Sequence, residues 1–418
     1  MAAEAIDFLR FLKKGDVISL GQACSEALTL TQQLAAQSAD ISGALGRLKI
    51  FLGGSFSGVF TPDLGAHFDF ASYGAIGDGA ALARAGYLDV FPIHYSQLPR
   101  LLAAGPLRPD VVLLQISPPD TAGRHSMGIA SDYQLTTARK ARVVIAEVNA
   151  LVPWTCAQVP SDLRIDHFIH SDVAIVEVPS PSSGATAQRI AAHVASLVPD
   201  GATLQMGVGS VMDAVCRALH SHRNLGVHSG IIGDGIADLI ASGVVNNARK
   251  SQYAGITVAG SLFGSRRLFD FAHLNRAIHL VETNVTHSAR SLAMVNGLCA
   301  INSATEVDLT GQINAEVSSG AYIGAVGGQM DFLRAAANSD DGLSIIALPS
   351  TAAGGKISRI VNSLSGPVTT PRADVDCVVT EWGIAHLRGL SLRERVPAMA
   401  AIAHPDHRAA FLSHAVRT

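Results

Sequence analysis

The chain has 418 residues, 48% of them hydrophobic and 16% charged, with a formal net charge of −3. That length exceeds one ordinary hydrophobic core, so two domains of about 200 residues each are expected. The charge balance, with no Lys/Arg run, excludes a nucleic-acid binder, and no apolar run reaches the ~18 residues that a membrane span needs.

From the N-terminus, Met1 to Arg10 carries acidic residues where a secretory leader would have a basic region and a long apolar core. The five cysteines (Cys24, Cys156, Cys216, Cys299 and Cys377) are odd in number and scattered, as reduced thiols are. Together these features predict a cytoplasmic protein. Low charge beside high apolar content predicts a homo-oligomer whose subunits cover apolar surface.

Gly15-Asp16-Val17-Ile18-Ser19-Leu20-Gly21 reads as a short strand between glycines, leading into a helix over 25–36. Gly201-Ala202-Thr203-Leu204-Gln205-Met206-Gly207 repeats that pattern and leads into a helix over 213–219. Two matching strand–turn–helix units imply a duplicated α/β unit. The apolar runs Val111–Ile116, Val143–Ile145, Val173–Val176, Ser344–Leu348 and Cys377–Val379 suit strands buried on both faces of parallel sheets. The Pro/Ser/Gly-rich stretch 178–184 reads as a linker, and 185–197 as the helix that opens the second half. The expected fold is therefore α/β, with domains 1–184 and 185–418 built on mainly parallel sheets.

Gly207-Val208-Gly209-Ser210-Val211 lies where a strand should enter a helix, and free N–H groups at such a helix start suit a phosphate or a thioester oxygen. By itself the pattern is equally a plain tight turn. Gly327-Gly328-Gln329 could expose amides that polarise a carbonyl, or could simply turn the chain into the next helix. Lys356 and Arg359 follow Gly354-Gly355 and could reach a phosphate, although the spacing is not that of a P-loop. The sixteen histidines form no His-x-x-x-His pair on a helix, so no metal is expected.

The run His228-Ser229-Gly230-Ile231-Ile232-Gly233-Asp234-Gly235 resembles the His-Thr-Glu-Met-x-Ser-Asp-Gly element of the acetyl-CoA hydrolase/transferase family. That family includes 4-hydroxybutyrate and succinyl-CoA:acetate CoA-transferases. Further similar pieces are Ala300–Gln312, Gly324–Phe332, Pro349–Arg359, Val379–Ala385 and Ala403–Arg408. In the first half they are Ser117–Asp120, Ser126–Gly128, Glu147–Asn149 and Pro153. The resemblance implies two CoA-transferase-type α/β domains with the active site between them. It also implies an acyl-CoA substrate, a CoA contact at Gly207–Val211, and a small carboxylate as possible acceptor. In the family the glutamate of this element attacks the thioester and becomes a glutamyl-CoA. Gly230 stands at its place and has no side chain to do so.

The missing carboxylate opens three readings. Glu282, where the family usually has an aromatic residue before Thr283-Asn284, could take over as base or nucleophile for CoA transfer. Alternatively, water could be activated directly, with His228 orienting it, and the thioester hydrolysed. Or the chain could bind acyl-CoA without reacting. Ser229 is a poor nucleophile candidate, because adjacent residues of an extended segment point to opposite sides. The absent side chain at Gly230 is expected to leave room for a neighbouring carboxylate, a water or the acyl group.

Overall fold

The computed structural model describes residues 4–413. It comprises two compact α/β units. The first holds the chain through Pro179, together with Val258–Thr286 and Tyr322–Gly327; the second holds Ser180–Thr257, His287–Ala321 and the chain from Gly328 onward. The chain therefore leaves the first unit at Pro179 and revisits it twice. The first return is tied down by backbone bonds, with Ser131 N–H on Gly260 O (3.0 Å), Leu262 N–H on Ile129 O (2.9 Å) and Thr283 N–H on Asp132 O (3.1 Å).

In the first unit, seven parallel strands run in the order β4-β3-β2-β1-β5-β6-β7. They are β1 (Val17–Leu20), β2 (Leu48–Leu52), β3 (Phe68–Ser72), β4 (Leu88–Val90), β5 (Val111–Ile116), β6 (Val143–Asn149) and β7 (His167–Ser171). Every residue of β5 and β6 is buried, as strands covered on both faces must be. The edge strand β7 instead alternates in burial. The run 173–176 is a correction to the sequence reading: it forms no strand. Its Ile175 and Val176 are buried, but the edge pairing with β6 is made by His167–Ser171, whose polar sequence hides it from an apolar-run criterion.

The second unit begins with the helix Ala185–Leu197, which buries Ala187, Ile190, Ala191, Val194 and Ala195 as one amphipathic stripe. Its sheet runs from Gly383–His386 through Cys377–Thr380, Leu343–Ala347 and Leu298–Asn302 to β8 (Thr203–Met206) and β9 (Gly226–Val227). All neighbours are parallel except the edge pair Cys377–Thr380 and Gly383–His386. β1 and β8 occupy the same place in their sheets, each between the next strand of the chain on one side and a later one on the other. Each is preceded by a left-handed glycine, Gly15 at φ 83° and Gly201 at φ 84°. In such a doubly wound sheet the strand order reverses at this point, and a crevice opens beyond the carboxyl ends of the strands.

Near the end of β1, Glu26 is buried and meets the loop after β2. Ser55 Oγ lies 3.0 Å from Glu26 Oε2 and 2.9 Å from Asp78 Oδ2, and Ser57 Oγ donates to Glu26 Oε1 at 2.6 Å. Ser55 has one hydroxyl proton, so both of its contacts are hydrogen bonds only when one carboxyl is protonated. Burial raises Glu26 from its ordinary 4.5 to about 7, and burial raises Asp78 as well. The folded state thus binds a proton that the unfolded chain has lost above pH 4.5, and stability falls as pH rises from there to about 7. Replacing Glu26 with Gln is expected to remove most of that decline, on the order of 3 kcal/mol. Denaturation midpoints of both proteins at pH 5 and pH 8 check this.

Candidate active site

The switch-point crevice of the second unit is built where β8 ends. Gly207 N–H bonds Ile301 O (3.1 Å) and His228 N–H bonds Leu204 O (3.0 Å), so the chain after β9 continues alongside the end of β8. Gly209 then turns at φ 114°, ψ 174° into the helix Ser210–Ala218. That conformation is essentially restricted to glycine, so Gly209, more than Gly207, is the position that requires one. No side chain caps this helix start, and Val208 is exposed beside it. Backbone N–H groups at such a start attract anions and carbonyl oxygens. Beneath the turn, Gln205 and Asn302 exchange side-chain amide bonds of 2.8 and 3.3 Å, and both residues are buried.

His228 and Gly230 flank Ser229, which donates to Met206 O at 3.4 Å. The space expected over Gly230 is not open. A Cβ placed there would lie 2.7 Å from His287 Cε1, 2.8 Å from His287 Nε2 and 3.7 Å from the Phe332 ring. Real Cβ atoms do not approach to 2.7 Å, so the His287 imidazole fills the position where a side chain at 230 would start. Phe332 holds that ring at a centroid distance of 4.7 Å and a tilt of 60°. Burial, and then the charge of His228, lowers His287 from its ordinary 6.5 to about 3. Its imidazole is neutral at any working pH. Gly230 itself is only half-buried, so the segment can be reached from solvent.

Glu282 belongs to the first unit. Its two carboxylate oxygens accept from Arg139 Nη1 at 2.9 and 3.0 Å, and Oε2 also accepts from Thr136 Oγ1 at 3.0 Å. Gly327 is left-handed (φ 55°), and its carbonyl accepts Tyr95 N–H at 2.9 Å in the same unit. Gly328 adopts φ −90°, ψ −4° at the start of the helix Gln329–Asn338 in the second unit. There the Gln329 amide donates to Thr370 Oγ1 at 3.2 Å. Lys356 is exposed and follows two left-handed glycines, Gly354 and Gly355, in the turn between Thr351–Ala352 and Ile357–Ser358. Arg359 is half-buried and its N–H bonds Ser350 O at 2.8 Å.

Sequence reasoning missed His287, Phe332, Asn302 and a buried network at the carboxyl ends of β1 and β3. In that network Gln22 donates to Tyr95 Oη (2.6 Å) and Asp132 Oδ2 (2.8 Å) and accepts from Tyr73 Oη (2.9 Å). Burial pushes Asp132 up to about 6. Among the described residues, no group of three His, Cys, Asp or Glu side chains could hold a metal ion, and no helix is long and apolar enough to cross a membrane.

Two family models match. The acetyl-CoA hydrolase/transferase N-terminal domain covers residues 2–178 and the corresponding C-terminal domain covers residues 264–415. The chain belongs to the acetyl-CoA hydrolase/transferase family. It is 39% identical over 331 residues to the 4-hydroxybutyrate coenzyme A transferase of Clostridium kluyveri, covering 78% of this chain and 77% of that protein. It is 30% identical over 263 residues to the acetyl-CoA hydrolase of Kluyveromyces lactis, covering 58% of this chain and 48% of that one. The crystal structure of RipA from Yersinia pestis superposes with a TM-score of 0.91 at 33% identity, covering 97% of this chain and 94% of RipA.

Proposed function

We propose that this protein cleaves small acyl-CoA thioesters by passing the acyl group to water, without a glutamyl-CoA intermediate at position 230. The observation that carries this reading is the His287 ring over Gly230. If Gly230 holds the place of the family's glutamate, as its motif suggests, that place contains a neutral imidazole instead of a carboxylate. CoA transfer needs a carboxylate, because its intermediate alternates between anhydride and thioester, and imidazole cannot reproduce that exchange. The acyl-CoA is assigned to the Gly207–Val211 turn, where backbone amides at the helix start would contact its phosphate or thioester oxygen.

Transfer to a small carboxylate acceptor through Glu282 is the competing reading. It has less support, because Arg139 and Thr136 already take both carboxylate oxygens. Mass spectra taken after incubation with acetyl-CoA separate the readings. Hydrolysis gives free CoA and an unmodified protein. A CoA adduct on a glutamate peptide would establish transfer, and neither product would leave binding alone.

A further inference from the structure

We infer that the carboxyl edge of the second unit's sheet carries a nucleotide subsite, in which Arg359 takes the pyrophosphate of coenzyme A and the Trp382 indole, backed by Arg408, stacks its adenine. The assignment rests on the acyl-CoA reading above, whatever the fate of the acyl group, and names where the far end of that substrate binds.

Two neighbouring strands build the subsite. Ser350 follows the strand Leu343–Ala347, and Glu381-Trp382 follow its parallel neighbour Cys377–Thr380, so all three lie at the carboxyl edge of the sheet. Ser350 N–H and Oγ donate to the two oxygens of Glu381 at 2.8 and 2.7 Å, and Trp382 Nε1 donates to Ser350 Oγ at 3.1 Å. The carbonyl of the same serine accepts Arg359 N–H at 2.8 Å, while Arg359 O accepts Val307 N–H at 2.8 Å. The backbone of Arg359 is thus pinned on both sides, one serine away from Glu381 and Trp382.

What these bonds leave over is cationic and aromatic. Arg359 is half-buried, yet its guanidinium has no hydrogen bond or ion pair among the described residues. Glu381 supplies none, since Ser350 takes both of its oxygens. Burial lowers the Arg359 pKa, and the charge of Glu381 offsets only part of that. A guanidinium drawn out of water without a partner is costly, and a phosphate oxyanion matches its fork of donors. Trp382 is 42% exposed, with Arg408 Cζ 5.5 Å from its ring centroid and the His404 ring edge-on at 5.5 Å. Of the Arg408 donors, only Nε has a hydrogen-bond partner among the described residues, Ala403 O at 3.0 Å. A fixed, partly exposed indole beside guanidinium groups suits an adenine base and its phosphates.

Span decides which end of the substrate lies here. Cys377–Thr380, Leu343–Ala347, Leu298–Asn302 and β8 stand side by side in that order. The Gly207–Ser210 turn is therefore two strands from Ser350 and three from Glu381, about 10–14 Å. From its sulfur to the first phosphorus, coenzyme A has the bond count of about four residues of backbone, roughly 14 Å when extended. A small acyl group is far too short to bridge the two places. A thioester held at the turn thus brings the pyrophosphate to Arg359.

The test titrates coenzyme A, and pantetheine, which lacks the phosphates and the adenine, into wild type, Arg359→Gln, Trp382→Leu and Trp382→Phe, each checked for folding by circular dichroism. Calorimetry on Arg359→Gln is expected to show coenzyme A bound about 10–100-fold more weakly, with pantetheine unchanged. Trp382→Leu should weaken coenzyme A about 10-fold, and Trp382→Phe should keep most of the wild-type affinity. Unchanged affinity of Arg359→Gln for coenzyme A, or equal losses for both ligands, would overturn the phosphate role. Trp382→Leu as tight as wild type would overturn the stack. A wild-type preference for succinyl-CoA over acetyl-CoA that Arg359→Gln abolishes would place an acyl carboxylate on Arg359 instead. The second measurement uses wild type alone. A stacked adenine quenches an exposed indole, so coenzyme A should lower tryptophan fluorescence and pantetheine should not; no quenching contradicts the subsite even where a variant does not fold. Wild type that binds coenzyme A with these signatures but releases no acetate from acetyl-CoA would refute the hydrolytic reading alone.

Discussion

Gly230→Glu alone is expected to inactivate the enzyme and not to restore a CoA-transferase. The new Cβ would meet His287 Cε1 at 2.7 Å, and the Phe332 ring braces the imidazole at 4.7 Å. Relief requires the ring or the backbone to move, and overpacking of this kind costs about 1–3 kcal/mol. The displaced ring would also disturb the packing beside the turn after β8, so thioester cleavage should fall. Adding His287→Gly removes the obstruction. The double variant is therefore expected to accumulate a CoA adduct on the new Glu when given acetyl-CoA, and the single variant is not. Peptide mass mapping reads both outcomes. An adduct on the single variant would show that the ring yields easily and that position 230 was never blocked.

Phe332→Ala carries the largest expected loss of stability near the site. The ring is fully enclosed in the core of the second unit, packed with residues such as Leu333, Ala336 and Ile346. Truncating a buried phenylalanine costs about 3–5 kcal/mol, part of it for the cavity left behind. That cavity would lie against His287, so the imidazole would gain rotational freedom beside Gly230. Urea denaturation should show the full loss. Turnover measured well below the unfolding midpoint should fall with it, and unchanged turnover would mean that Phe332 does not position the ring.

The parts of this protein legible in its sequence share a physical cause. β5 and β6 are buried on both faces, so they appear as unbroken apolar runs, and the helix Ala185–Leu197 carries a full amphipathic stripe. The paired glycine turns at Gly15 and Gly201 are visible because left-handed backbone selects glycine at both. β7 was hidden because an edge strand with polar ends resembles a loop, and the apolar run 173–176 took its place in the reading. The turn after β8 was readable as Gly-x-Gly. The His287 ring was not, because it reaches Gly230 only through the fold and follows a short helical turn with no periodic pattern. Glu282 stood out as an unusual carboxylate, yet its partner Arg139 lies in a distant part of the chain and could not be paired with it from the sequence.

The central claim, that the acyl group passes to water, is tested most directly by the fate of oxygen. The enzyme is supplied with acetyl-CoA and excess propionate in water enriched in 18O, and the acids and CoA esters are analysed together. Hydrolysis predicts one 18O in each acetate released, CoA thiol in equal amount, and no propionyl-CoA. Propionyl-CoA appearing in step with unlabelled acetate would contradict the account.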